Sequence, residues 1–186
     1  MGTVLNDSKS KSQVNWFVML AYKQEDIAEK ALSGQDGLEY YIAKHYIVQE
    51  YHGKKKRRLV PCIPSIIFVH ASQAQIVAFK SKYNFLKFVT WRKTSGLEYL
   101  IVPDNQMDDF IRVSSSMEKS VRYHKPEELD VDKGTHVRVL GGPFDGVEGT
   151  FMKVQGRRSK QVVVIIPDVM AVSVEVEPDL IEVLDD

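Results

Sequence analysis

The spacing of apolar residues changes repeatedly in the first two thirds of the chain. Residues 15–22, NWFVMLAY, form an aromatic and aliphatic run of strand length. The segment that follows changes to the 3.6-residue period of a helix, with Gly34 placed to cap its end. Its apolar face consists of Ile27, Ala28, Ala31 and Leu32. A strand followed directly by a helix is therefore predicted at the start of the fold.

The same change of period recurs in the middle of the chain. Residues 38–51 are rich in β-forming side chains and predict one or two strands, whereas HGKKKRRLV at 52–60 predicts a turn or mobile loop. The continuous apolar run at 66–69 is typical of a buried central strand. Further strands are predicted at 85–92 and 98–103, and helices after Ser72 and at 104–117.

Beyond residue 131 every apolar pattern is that of a strand. Five segments, THVRVL, VEGTFMKV, QVVVIIPD, MAVSVEVEP and DLIEVL, follow one another with short turns between them. Five short strands in about 55 residues predict a small β-barrel. The expected class is α+β: a disordered leader at 1–14, an α/β sandwich at 15–117, a polar linker at 118–131 and the barrel at 132–186.

Charge is balanced in total but uneven in distribution. The 186 residues carry 25 bases and 25 acids, yet residues 54–58 read KKKRR, and the segment from Gln161 to Asp186 has acids and no Lys or Arg. Cys62 is the single cysteine, so a disulfide framework is excluded and a reducing compartment fits. Since no apolar run approaches membrane-spanning length, we expect a cytoplasmic protein without membrane contact.

Enzymatic chemistry finds no support in the residue pattern. Cys62 precedes His70, but Cys62 stands between two prolines in an apolar run and no third group is identified that would orient the pair. The histidines are dispersed without metal-ligand spacing, and the glycines lead into a strand rather than into a phosphate-binding helix. We expect a protein that is not an enzyme and needs neither metal nor cofactor.

The most unusual segment is VRVLGGPFDGVEGTF, residues 137–151. Gly141 and Gly142 can take positive φ, Asp145-Gly146 is a turn pair, and Gly149 suggests a kink or bulge in the next strand. Such turns would let a small barrel close, with Phe144 at one of its ends. Barrel geometry alone would account for these glycines.

The order of glycines, proline and phenylalanine in this segment is more specific than barrel closure requires, because it resembles a KOW motif. The matching residues are Gly142, Pro143, Phe144, Gly146 and Gly149. The first half, with Trp16-Phe17-Val18 opening a strand and PCIPSIIFV at 61–69, is similar to the N-terminal domain of the NusG/Spt5 family. That family usually has an aromatic-Pro-Gly-Tyr-x-Phe-Val run there. This chain keeps Pro64, Phe68 and Val69 but has Ser65 and Ile66, a departure that favours a specialised bacterial paralogue.

The resemblance implies a transcription elongation or antitermination factor whose N-terminal domain binds the clamp helices of RNA polymerase. The positions matching the family's docking depression are Leu20, Ile66, Phe68 and Phe88, with Tyr22 and Trp91 as rim aromatics. Alternation alone does not tell which face of a strand points outward, so the same side chains could be core residues. The KOW barrel would recruit a further partner, a ribosomal protein or Rho, and we expect a monomer.

The basic segment is a candidate nucleic-acid interface. Lys54, Lys55, Lys56, Arg57 and Arg58 could contact the non-template strand or the upstream duplex, although a run of cations is also typical of a solvated loop. Arg157, Arg158 and Lys160 form a smaller second group. The rival functions are a KOW-containing RNA-binding or ribosome-associated protein, which balanced charge disfavours, and a scaffold without a role in transcription.

Overall fold

The computed structural model describes residues 12–93, 96–116, 119–130 and 133–184, and the chain divides into two compact units, Met1–Asp104 and Asn105–Asp186. The predicted disordered leader lies outside the described residues as far as residue 11, and the first strand already begins at Val14. The first unit contains helices α1 (Glu25–Ser33) and α2 (Gln73–Lys82). Its strands are β1 (Val14–Leu20), β2 (Glu39–Tyr41), β3 (Lys44–Tyr51), β4 (Lys54–Pro61), β5 (Ile66–Ser72), β6 (Lys87–Phe88), β7 (Thr90–Lys93), β8 (Gly96–Tyr99) and β9 (Ile101–Val102).

Both helices of the first unit form where the apolar period predicts them. Gly34 is the C-cap of α1, and its N–H donates to the carbonyl of Leu32. Ser72 caps α2 through a capping box: its hydroxyl accepts from the backbone N–H of Gln75 at 3.3 Å, and the Gln75 side chain accepts from the Ser72 N–H at 2.9 Å. The predicted face of α1 is only partly buried, because Ile27 remains 55% exposed.

An antiparallel sheet of order β2-β5-β1-β6 forms the centre of this unit, and β9 also pairs with β1. The register of β1 and β5 runs from Val14 opposite Ser72 to Leu20 opposite Ile66. One face of the sheet packs on the helices in a cluster that includes Phe17, Met19, Ala28, Leu32, Ile67, Val69, Ile76 and Phe79. Since side chains alternate along a strand, Leu20, Ile66 and Phe68 belong to the opposite face.

Two further pairs of strands, β3 with β4 and β7 with β8, form separate two-stranded ribbons. The turn between β3 and β4 is the dipeptide His52-Gly53, with φ of 49° and 71°, as a two-residue hairpin turn of the type I′ class requires. The prediction of a turn or mobile loop over residues 52–60 is therefore wrong beyond Gly53. The five cations lie on strand β4, paired residue by residue with β3.

The second unit combines helix α3 (Asp104–Ser114), which begins at the last residue of the first unit, with a single antiparallel sheet. Its strands are β10 (Arg122–His124), β11 (Thr135–Val139), β12 (Glu148–Lys153), β13 (Lys160–Ile166), β14 (Met170–Val174) and β15 (Ile181–Val183), in the order β10-β14-β13-β12-β11-β15. The five predicted strands are confirmed and β10 is additional. Closure into an SH3-like KOW barrel stays a prediction.

The extra strand occupies the segment for which a linker was predicted. Arg122, Tyr123 and His124 pair with Ser173, Val172 and Ala171 of β14. Leu129 packs against an apolar cluster of Met152, Val154, Val163 and Ala171 on one face of the sheet. Residues 122–124 and Leu129 therefore belong to the second unit. The backbone of 122–124 pairs with the edge of β14, and the Leu129 side chain packs on the apolar cluster.

The glycine-rich segment turns where its sequence predicts. Gly141, Gly142 and Gly146 have φ of 83°, 71° and 81°, and Phe144 is 5% exposed in the short 3-10 turn Gly142–Phe144. Glycine is required at position 149 for a different reason, since a Cβ there would lie 2.7 Å from the carbonyl oxygen of Val163. Gly149 thus permits close approach of two strands.

Candidate functional site

Three of the residues predicted to bind a partner meet at one end of the central sheet. Leu20, the last residue of β1, lies opposite Ile66 on one side and opposite Lys87 on the other. Tyr22 follows two residues later and is 52% exposed, with the Lys87 ammonium 4.8 Å from the centre of its ring. Leu20 and Ile66 are half-buried. This group of Leu20, Tyr22 and Ile66 is called the sheet-end patch.

The turn that carries Tyr22 is held by Ser65. The Ser65 hydroxyl accepts a hydrogen bond from the Lys23 N–H at 2.7 Å, and the Ser65 carbonyl accepts from the Ala21 N–H at 2.7 Å. The Ser65 N–H in turn donates to the carboxylate of Glu25. Tyr22, Lys23 and Ser65 all have positive φ, at 46°, 63° and 73°. These bonds fix a backbone that non-glycine residues adopt at a cost.

Phe68 shares the face of Leu20 and Ile66 but is 1% exposed, opposite Val18 in the register. It lies beneath the surface rather than on it. Because its side chain is almost fully buried, a partner has no direct access to Phe68, and its predicted role as a direct contact stays a prediction.

Phe88 lies on the other face of the sheet. It is opposite Met19, packs against the helix-side core, and makes an edge-to-face contact with Phe17 at 5.5 Å and a stacked contact with Tyr99 at 4.3 Å. The interpretation that Phe88 shares one depression with Leu20, Ile66 and Phe68 is therefore corrected. Trp91 lies half-buried on the β7–β8 ribbon, opposite Glu98.

The β3–β4 hairpin distributes the five cations over two faces. Residues directly opposite each other in an antiparallel pair lie on the same side, and neighbours along a strand lie on opposite sides. The pairing of Tyr51 with Lys54 and of Ile47 with Arg58 defines a cationic face, consisting of Ile47, Gln49, Tyr51, Lys54, Lys56 and Arg58. The pairing of Tyr46 with Leu59 defines a mixed face, consisting of Tyr46, Val48, Glu50, Lys55, Arg57 and Leu59.

The two faces differ in what their cations contact. On the mixed face the Arg57 guanidinium lies 3.8 Å from the centre of the Tyr46 ring, and Lys55 is directly opposite Glu50. On the cationic face Lys56 is 5.8 Å from the Tyr51 ring, and Tyr51 is 63% exposed. All five cations are solvent-exposed. Sequence reasoning identified the five cations but not this division, which depends on the strand register.

The single cysteine pairs with a histidine other than the one weighed from sequence. Cys62 Sγ lies 3.3 Å from His45 Nδ1, whereas His70 stacks on Trp16 at 4.7 Å and pairs with Glu39 at 3.0 Å. Within the described residues no three His, Cys, Asp or Glu side chains are grouped to hold a metal ion. No helix in this part of the chain is long and apolar enough to cross a membrane.

In the second unit, polar contacts join α3 to the sheet. The Asp109 carboxylate accepts from the Glu148 N–H at 3.3 Å, and the Gln106 amide donates to the Ile165 carbonyl at 2.5 Å. Burial raises the pKa of Asp109, although the bond from Glu148 opposes the shift. Arg138 binds Glu148 at 2.6 Å, and that bond raises its own pKa.

Residues 14–111 match the sequence model of the family described as NusG, transcription termination factor nusG. The match spans more than half of the 186-residue chain and includes both the sheet-end patch and the β3–β4 hairpin. The chain belongs to the NusG family. NusG proteins are transcription factors rather than enzymes, which assigns a role in transcription elongation or termination and implies RNA polymerase as the general partner. A comparison with curated protein sequences gave no match.

Proposed function

We propose that this NusG-family protein is an elongation and antitermination factor that binds the clamp helices of RNA polymerase through its N-terminal unit and thereby reduces pausing or termination. The observation that carries the proposal is the family match over residues 14–111. Within that region the sheet-end patch offers apolar and aromatic surface around Leu20, Tyr22 and Ile66. An exposed aromatic side chain beside partly exposed aliphatic ones at the end of a sheet is suited to anchor a partner helix.

The second unit has a separate task in this proposal. The run Gly142-Pro143-Phe144 with Gly146 and Gly149 resembles a KOW motif, and a KOW domain would recruit a further protein, such as a ribosomal protein or Rho. The protein would act as a monomer in the bacterial cytoplasm, as a specialised paralogue within the family. The basic hairpin would add contacts to the DNA near the polymerase, because phosphates attract its exposed cations.

Polymerase binding is tested with Ile66→Glu. Ile66 is half-buried on the sheet-end patch, and a carboxylate there would be desolvated when a partner helix docks. We expect a loss of about 2 kcal/mol or more in binding to core RNA polymerase, as for an interface hot spot. The measurement is co-sedimentation or surface binding of purified protein with core polymerase, followed by a pausing assay at matched occupancy.

Val77→Glu is the matched control. Val77 is an aliphatic residue of α2 and is 52% exposed. Its substitution therefore places the same negative charge on a different surface. We expect Val77→Glu to bind the polymerase as the wild type does and to suppress pausing equally. If Ile66→Glu is folded by circular dichroism and also binds normally, the sheet-end patch is not the polymerase site.

A further inference from the structure

The β3–β4 hairpin has one face whose charge is left uncompensated. The cationic face carries Lys54, Lys56 and Arg58 and no acidic residue. No described carboxylate makes an ion pair with these three side chains. By contrast, the mixed face includes the carboxylate of Glu50, which is directly opposite Lys55. The positive potential of the hairpin is therefore directed mainly to one side.

The spacing of these three cations suits a linear polyanion. Alternate residues of a strand recur every ~6.8 Å along one face, which is comparable to the distance between successive phosphates in an extended nucleic-acid strand. The three cations occupy consecutive positions of this repeat on β4. A backbone lying along the strand could thus meet each cation in turn, without any base being read.

Aromatic rings at the tip indicate which form of nucleic acid fits. Tyr51 is on the same face as the cations and is 63% exposed, and its ring contacts that of His52 at 4.2 Å between ring centres. Bases can stack on an exposed tyrosine only when they are unpaired, because a duplex hides their faces. Exposed aromatics next to a track of cations are the usual means of binding single strands without sequence preference.

We propose that the cationic face of the β3–β4 hairpin binds single-stranded nucleic acid, with Lys54, Lys56 and Arg58 on consecutive phosphates and Tyr51 stacked on a base. This inference deepens the nucleic-acid contact of the proposed function and rests on it for its place in transcription. The mixed face takes no part in the binding. The ligand chemistry, a flexible phosphodiester backbone with unpaired bases, is shared by DNA and RNA.

The test compares two double variants of the full-length protein that remove the same residue types. Lys56→Ser/Arg58→Ser changes the cationic face and Lys55→Ser/Arg57→Ser changes the mixed face, so each loses one lysine and one arginine. Binding to fluorescein-labelled oligo(dT) is measured by anisotropy between about 50 and 300 mM salt. At ~0.7 counterions released per phosphate, the first variant should bind roughly 50-fold more weakly at about 50 mM salt, with a salt slope smaller by about 1.4.

The mixed-face variant should keep nearly wild-type affinity and salt slope. Tyr51→Ala should lose roughly tenfold in affinity through the lost stacking, whereas Tyr46→Ala should lose little. Oligo(U) of equal length identifies whether DNA or RNA is preferred, and a duplex of equal length should bind more weakly than either. Equal losses in the two double variants, no loss in either, or duplex binding as tight as single-strand binding would overturn the proposal.

Polymerase binding of the same variants separates this inference from the proposed function. Because the oligonucleotide assay contains no polymerase, weak oligonucleotide binding by the wild type would reject the inference and leave polymerase docking intact. Conversely, Ile66→Glu failing to affect polymerase binding would count against the docking site without affecting the hairpin. Circular dichroism and thermal unfolding confirm that each hairpin variant is folded before it is scored.

Discussion

Ser65 shows how one substitution can change the role of a backbone position. Its φ of 73° lies in the region that glycine adopts freely, and the NusG-like run that the sequence resembles has glycine at this place. Serine adds a hydroxyl that accepts the Lys23 N–H, which a glycine cannot do. The chain thus accepts backbone strain at Ser65 in exchange for a hydrogen bond that holds the turn carrying Tyr22.

Two variants of Ser65 separate the cost of its positive φ from the contribution of its hydroxyl hydrogen bond. Ser65→Gly removes both the hydroxyl and the strain, whereas Ser65→Ala removes the hydroxyl and keeps the strained φ. We expect Ser65→Ala to be less stable than Ser65→Gly by about 1 kcal/mol in urea unfolding. Trp16 and Trp91 both lie in the first unit, so their fluorescence reports on the unit that contains Ser65.

Hydrogen exchange gives the second readout for these variants. The Lys23 amide loses its acceptor in both, so its exchange should be faster than in the wild type in both. An alanine variant as stable as the glycine variant would show that the positive φ at Ser65 carries no cost. Unchanged exchange at Lys23 would show that another group, rather than the hydroxyl, protects this amide.

The predicted docking residues illustrate what a single sequence can and cannot show. Aromatic and aliphatic runs correctly predicted that Phe68 and Phe88 lie in strands, and the structure places both strands in one sheet. Which face each occupies depends on register: Phe88 is opposite Met19, a helix-side core residue, whereas Leu20 is opposite Ile66. A shift of one residue would exchange the faces, and apolar residues on both sides of β1 remove the alternation that would reveal it.

At the scale of elements, the β3–β4 hairpin was hidden by its own composition. Five successive cations lack the alternation of polar and apolar residues that marks a strand, so residues 54–58 were predicted to be a loop. The hairpin turn is His52-Gly53 rather than the Asn-Gly or Asp-Gly pair that usually indicates one. Strands whose two faces are both exposed carry no burial pattern, and only pairing with β3 defines β4.

Strand β10 was missed for a related reason, since it has three residues in a polar segment. It is retained by its edge position beside β14 and by side chains directed into the second unit. His124 Nε2 lies 2.8 Å from the hydroxyl of Ser173, which is fully buried, and the Tyr123 hydroxyl donates to the Ser114 carbonyl at 2.7 Å. These contacts compensate for the short ladder.

His124 makes this element sensitive to pH. Burial lowers the pKa of His124 below its ordinary value of 6.5, and Arg157 and Arg122 lower it further while Glu128 opposes them. As pH falls below about 6.5, the unfolded chain therefore takes up a proton before the folded one does, and stability is lost. We expect the amides of β14 to lose protection from hydrogen exchange, corrected for intrinsic rates, between pH 7.5 and 5.5.

His124→Gln is the control, because glutamine can still bond Ser173 and does not titrate. The variant should lose less protection at β14 over the same pH range. Asp109, whose pKa is raised, acts in the opposite direction nearer to its ordinary value of 3.8, and it contributes equally to both proteins. Identical pH dependence in the two proteins would mean that His124 is not the group responsible.

At the scale of the whole molecule, the charges are unevenly distributed although the net charge is zero. The uncompensated cations lie on the hairpin of the first unit, while the segment from Gln161 to Asp186 in the second unit has acids and no bases. An excess of positive potential at one place can attract a polyanion even when the total charge vanishes. The balanced composition gave no argument for nucleic-acid binding, whereas the run of cations at 54–58 made that segment a candidate interface, and the strand register adds that Lys54, Lys56 and Arg58 share one face.

The boundary between the units is the feature on which sequence and structure differ most at this scale. The polar composition of residues 118–131 predicted a linker there, whereas the division of the chain into compact units falls between Asp104 and Asn105. Helix α3 bonds through Gln106 to Ile165 and through Asp109 to Glu148 of the sheet. Polarity indicates where a chain is solvated, not whether its backbone is paired, and this is why composition could not reveal the contacts of α3 and β10.

Two fragments test which boundary governs folding. The fragment Asn105–Asp186 contains α3 and β10, whereas a fragment of residues 125–186 retains only β11 to β15. Loss of the β10 ladder and the α3 bonds should cost about 2 kcal/mol, because net hydrogen-bond contributions are ~1 kcal/mol each and partly redundant. For domains of this size that corresponds to a Tm lower by roughly 10 °C in a calorimetric or circular-dichroism melt. Gln106→Ala in the longer fragment should lower its Tm by a smaller step, which identifies the α3 contribution. A shorter fragment that melts at the same temperature as the longer one would instead make residues 118–131 the functional boundary, with α3 and β10 as dispensable additions to an independent five-stranded domain.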